Sequence, residues 1–156
     1  MNNNDILRRV RYVFDFDDSK MSTIFRLAEH KVTRAEINDW LKKDDDPAFK
    51  ECSDTLLAIF LNGLINDKRG KKEGEQHLPE KHLTNNIIFN KLKIALNLKG
   101  EDVLQIMGLA DFHISKHELS AFFRKPGHKH YRQCNDQILR NFLKGMQLKY
   151  RPETLK

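Results

Sequence analysis

Histidine, cysteine and carboxylate groups carry most side-chain chemistry near neutral pH, and in this chain they are spread unevenly. Six of the seven histidines lie from His77 onward, with the densest cluster at His128-Lys129-His130 and His117 a little upstream. His117-Glu118 opens like the H-E-x-x-H pattern that sets two imidazoles on one helix face around zinc. Position 121 is Ala121, so that pattern fails. No carboxylate stands beside His128-Lys129-His130 to complete a ligand set, and a solvated or phosphate-facing role is the better reading of these imidazoles. Cys52 and Cys134 are the two cysteines; lone and far apart, they form neither a disulfide framework nor a zinc pattern. Small apolar residues in a core is the expectation for both. Phosphate-loop, dinucleotide-binding and nucleophile-elbow motifs are missing, and seven glycines are few for a cofactor cradle. The expectation is a binding protein without catalytic residues, cofactor or metal.

The elements that must position these residues come in duplicate. Shifted by 82 positions, residues 4–69 fall on 86–151 without a gap, with 14 identities in 66 positions. Cys52 meets Cys134, Asp54 meets Asp136, Gly63 meets Gly145, and Trp40-Leu41 meets Phe122-Phe123. Internal self-similarity fixes architecture before any local reading does. The expected organisation is a first helical repeat at 1–70, a linker at 71–83, a second repeat at 84–151 and a tail at 152–156.

Each repeat reads as four or five short helices, so the fold class is all-α with helix-turn-helix-like elements. Residues 6, 7, 10, 13 and 14 are apolar at the spacing of one helical face. Asp17-Asp18-Ser19 can cap a second helix. Thr33-Arg34-Ala35-Glu36 and Ser115-Lys116-His117-Glu118 have the capping-box form, opening helices expected to bury Ile37, Trp40 and Leu41 in one copy and Leu119, Phe122 and Phe123 in the other. Ser53-Asp54 and Asn135-Asp136 then cap a final apolar helix. Gly63 and Gly145 lie inside those last helices, where glycine costs about 1 kcal/mol relative to alanine; close helix–helix approach would offset it. Residues 71–83 are charged, contain Gly74 and Pro79, and lack periodicity.

Charge divides the copies. Residues 1–70 hold 12 Lys and Arg against 13 Asp and Glu, whereas residues 71–156 hold 16 against 9. The excess that gives the chain its net charge of +6 therefore lies beyond Gly70, the pattern expected of a binding surface. Residues 101–107, a glycine-containing turn at 108–114 and a helix at 115–125 outline a helix-turn-helix. With Leu119, Phe122 and Phe123 buried, the outward face would present Lys116, His117, Ser120 and Arg124, continued by Lys125, Lys129, His130 and Arg132. The first turn of such a second helix enters the major groove while flanking bases grip phosphate. Residues 92–123, notably Ala95-Leu96-Asn97-Leu98 and Glu101-Asp102-Val103-Leu104, look like phage-repressor-type units. In the first copy Asp44-Asp45-Asp46 opposes phosphate, so the second copy is expected to be the reader.

Longer segments carry a wider likeness: residues 4–12, Phe60-Leu61-Asn62-Gly63-Leu64 running to Lys68-Arg69-Gly70, Asn85-Asn86-Ile87 leading into 91–95, and Lys125-Pro126-Gly127-His128-Lys129 to Tyr131-Arg132-Gln133-Cys134. In these the chain resembles the YehS-like family of small bacterial proteins, across nearly its whole length and including the duplication. The resemblance implies a bacterial cytosolic protein and brings no catalytic or cofactor residues. Mean hydropathy is −0.67, and no apolar run approaches the roughly 20 residues of a membrane span. Met1-Asn2-Asn3-Asn4-Asp5 lacks the pattern of a signal peptide, so a cytoplasmic location without membrane contact is expected. Two functions stay open: nucleic-acid binding, DNA before RNA, through the basic second repeat; or a protein-interaction module or homodimerising scaffold with an acidic partner.

Overall fold

Helices begin where a side chain can accept the backbone N–H groups that the first turn leaves unpaired. In this chain Asn2, Asp17, Thr33, Ser53, Thr84, Ser115 and Asn135 each accept one from the residue three positions on. Both expected capping boxes close, with Glu36 and Glu118 reaching back to the N–H of Thr33 and Ser115. In the computed structural model, which describes residues 1–152, these signals start α1 (Asn3–Phe14), α2 (Asp18–Leu27), α3 (Arg34–Leu41) and α4 (Asp54–Arg69), then α5 (Asn85–Ala95), α6 (Gly100–Leu109), α7 (Lys116–Ala121) and α8 (Asp136–Tyr150). No strand occurs among the described residues. Residues 153–156, the end of the expected tail, lie outside them.

The helices group into two units, residues 1–83 and residues 84 onward, and the 82-residue offset carries α1–α4 onto α5–α8. Helix ends repeat as faithfully as helix starts. Asp15, Glu29, Asn97 and Asp111 adopt left-handed backbone, and they form two equivalent pairs. Each is followed by a residue whose N–H reaches back five positions, as in Phe16 to Arg11, His30 to Phe25, Leu98 to Lys93 and Phe112 to Met107. That is the Schellman ending, which satisfies carbonyls left over by the last turn.

The tightest packing in each unit is the crossing of α2 with α4 and of α6 with α8. A Cβ at Gly63 would overlap the Ile24 carbonyl, and one at Gly145 would overlap the Ile106 carbonyl. The two glycines are thus explained by backbone-to-backbone approach of the two helices within each unit. Around these crossings the cores exchange bulk. Unit one sets Phe25 of α2 against Phe60, with ring centroids 5.3 Å apart, and against Trp40 at 5.6 Å. Unit two has Met107 where Phe25 stands and Phe89 where Leu7 stands; Phe89 meets Phe142 at 4.6 Å. All four exchanged side chains are fully buried. Such a volume-conserving exchange preserves a fold while sequence identity falls.

Residues 71–83 contain no helix and lie against unit one. Asn66 Nδ2 donates to the Leu27 carbonyl and to Gln76 Oε1, Lys71 pairs with Glu29 at 3.3 Å, and the Leu83 N–H donates to Asp54.

Candidate nucleic-acid interface

An asparagine pair fixes the loop that carries the candidate site. In unit two the buried Asn86 side chain donates to the carbonyls of Phe122 and Arg132, at 3.0 and 2.7 Å, and accepts the Cys134 N–H at 2.9 Å. Asn85 donates to the Cys134 carbonyl and to Asp136. Asn4 and Asn3 do the same in unit one, to Trp40, Lys50 and Cys52, and to Cys52 and Asp54. One Asn-Asn doublet at a helix start thus holds both ends of a loop more than thirty residues away. Asp54 and Asp136, expected as caps, are instead the first residues of α4 and α8, behind the caps Ser53 and Asn135. The hydrogen bonds from Asn3 and Asn85 hold their carboxyls below the usual carboxylate range.

The loop between α7 and α8 begins earlier than the sequence suggests. The helix expected over 115–125 ends at Ala121. The N–H groups of Phe122 and Phe123 close tight turns onto Leu119 and Ser120, and the returning Arg132 N–H takes the Ala121 carbonyl. Pro126 further along disfavours helical backbone at Lys125. Gly108, expected in the turn, lies within α6, and the connection to α7 is residues 110–115, with its left-handed position at Asp111. Phe122 is buried as expected. Phe123 and Leu41 are only half-buried; Phe123 packs edge-on against Phe89 and carries Lys93 over its ring.

All eight expected site residues are exposed. Four of them, His117, Lys129, His130 and Arg132, line an open cleft of about 770 Å³ between α7 and the start of α8, with Phe122 and Tyr131 also in its wall. The ring centroids of His117 and His130 are 6.4 Å apart, and His128 Nδ1 accepts the His130 N–H at 3.0 Å. The other four do not line the cleft: Lys116 and Ser120 lie on α7, Arg124 and Lys125 on the turn after it. Lys116 lies 3.8 Å from Glu101, both largely exposed, and such a pair contributes little. Ser120 Oγ donates to the His117 carbonyl. Glu118 is the one carboxylate of the cleft, held below the usual range by the Ser115 N–H. Among the described residues no group of three His, Cys, Asp or Glu side chains could hold a metal ion.

The duplication supplies an internal comparison. Residues 42–51 contain three lysines and four carboxylates; the equivalent 124–133 contain four Lys or Arg and no carboxylate. In unit one Asp39 pairs with Lys42 at 3.1 Å and Lys50 at 3.8 Å. Its counterpart is Ala121, so Arg124 and Arg132 stand where the two paired lysines stand but without that carboxylate. Sequence inspection gave the basic residues but not this loss of their partner, which needs the fold to show that position 39 faces positions 42 and 50.

A second cleft, of about 650 Å³, lies in unit one between the end of α2, α4 and residues 74–79, with His30, Asn66 and His77 among its lining.

Two repeated matches, over residues 3–70 and 85–151, place the chain in the family described as Protein of unknown function (DUF1456); the chain belongs to that family, and the matched ranges are the two helical units. The chain is also similar to the "Uncharacterized protein YehS" of Escherichia coli (strain K12), at 44% identity over 147 residues, covering 94% of each chain. No solved structure matches the chain. No described helix is long and apolar enough to cross a membrane.

Proposed function

We propose that this is a non-enzymatic, cytoplasmic nucleic-acid-binding protein whose second unit grips the phosphate backbone through α7 and the loop that follows it. The observation that carries the reading is the wholly cationic charge of residues 124–133 on a scaffold whose first copy sets three lysines against four carboxylates at the same place. With Asp39 replaced by Ala121, Arg124 and Arg132 lack the carboxylate that pairs with Lys42 and Lys50 in unit one, and Arg132 acts on Glu118 without a close ion pair. Exposed guanidinium groups of this kind suit phosphate, which they can contact in a bidentate manner. The six residues of α7 span less than two turns, which favours backbone contacts over an extended reading of base edges. DNA is the expected ligand ahead of RNA.

Replacing Lys116, Arg124, Lys125 and Lys129 together by alanine tests the surface. Each phosphate neutralised on duplex DNA contributes about −0.9 to the slope of log affinity against log salt. The quadruple variant is expected to flatten that slope by roughly 2–4 and to weaken binding to any sequence alike. Arg34→Ala with Lys42→Ala in unit one is expected to do much less, because Asp39 and Asp44–Asp46 already oppose phosphate there. Equal effects from the two sets would reduce the surface to bulk net charge, and the alternative, docking of an acidic protein partner on this face, would take its place.

A further inference from the structure

The cleft beside α7 differs from the same surface of unit one in more than charge. Under the 82-residue offset, Ala35 becomes His117 and Ala48 becomes His130, while Pro47 becomes Lys129 and Asp39 becomes Ala121. Two methyl groups have been replaced by two flat rings, and those rings line one cleft with centroids 6.4 Å apart and planes inclined by 66°, so that a base meeting the face of one ring meets the edge of the other. Tyr131, half-buried, adds a phenol to the wall, and Lys129 and Arg132 set cations beside the rings. The cleft's volume of about 770 Å³ falls in the range of small-molecule sites, about 300–1,000 Å³. Flat rings beside cations are what an unpaired nucleotide requires, since splayed bases stack on aromatic and imidazole rings while phosphate meets Lys or Arg. A paired base, enclosed in a duplex, presents no face to such a wall.

The geometry points to an unpaired nucleotide as the occupant of this cleft, its base against His117, His130 and Tyr131 and its phosphate on Lys129 and Arg132. The inference rests on the nucleic-acid reading above and adds to it a preference for single strands, or for a base turned out of a duplex, over intact duplex. It also gives the rings of His117 and His130 a role beyond facing phosphate.

The test is fluorescence anisotropy on the full chain with a labelled ten-nucleotide single strand of mixed sequence and the matching duplex. The double variant His117→Ala, His130→Ala restores the residues that unit one carries at these positions. It is expected to lose roughly tenfold or more in single-strand affinity, the usual effect of removing stacking contacts, and distinctly less in duplex affinity. His117→Phe with His130→Phe keeps the rings without imidazole hydrogen bonding and is expected to retain single-strand binding. Equal losses on both ligands, no loss on either, or loss in the phenylalanine pair as well would overturn the inference, while salt-dependent duplex binding by the unmodified protein would still support the nucleic-acid reading. An unmodified protein that bound neither ligand would overturn the nucleic-acid reading and this inference together.

Discussion

Asn4 and Asn86 are the residues on which each unit's loop geometry depends. Each side chain serves two carbonyls and one N–H from distant backbone, and both asparagines are buried, at 0% and 6% exposure. Replacing either by alanine strands three backbone groups that water reaches poorly. A loss of about 2–4 kcal/mol of unfolding free energy is expected from the cost of unmet hydrogen bonds, measurable by urea denaturation. A change under about 0.5 kcal/mol would show that the loop is held by other means. The neighbouring cysteines behave as core residues. Burial pushes both thiols up to about 12. An unfolded thiol titrates near 8.5, so above that pH the unfolded chain binds fewer protons than the folded one. Stability from this source is therefore fully present below about pH 8.5 and is lost as pH rises towards 12. Both thiols are expected to resist a disulfide-exchange reagent at pH 8 until denaturant is added; rapid reaction of the native chain would contradict their burial.

At the scale of elements, the glycine crossings are the most constrained contacts. Gly63→Ala and Gly145→Ala each drive a methyl group into the carbonyl of the opposite helix, and overpacking of that kind costs roughly 1–3 kcal/mol. Denaturation midpoints unchanged in both variants would show that the helices can separate freely. Much of this level was legible beforehand because its signals are local: caps at Asp17, Thr33, Ser53 and Ser115, apolar spacing in α1, and paired glycines inside α4 and α8. The end of α7 was not legible, since Leu119, Phe122 and Phe123 keep helical spacing past the point where the chain turns. What stops the helix is a backbone bond from Arg132 to Ala121, made by a residue eleven positions away. The asparagine doublet was visible as a repeated pair, but its partners lie 36 to 51 residues distant, beyond the reach of any periodicity. The eight candidate site residues are all exposed, yet the cleft that gathers four of them depends on that same early turn.

At the scale of the whole molecule, one fold is used twice and its surface has been spent differently in each copy. Positions buried in both units exchange like for like, or exchange bulk as Leu7 and Phe25 do with Phe89 and Met107. The loop after the third helix changes sign instead, from three lysines and four carboxylates to four Lys or Arg alone. A core under packing constraint and a loop free of it would diverge in that way, and the second unit's loop carries the positive charge that the proposed phosphate contact requires. The central claim is that this second-unit surface engages nucleic-acid phosphate. Its most direct test is the affinity of the unmodified protein for a labelled duplex at several salt concentrations. Association is expected below about 100 μM at low salt, with a log–log slope of roughly −2 to −4 from two to four neutralised phosphates. No association in that range, or an affinity indifferent to salt, would contradict it.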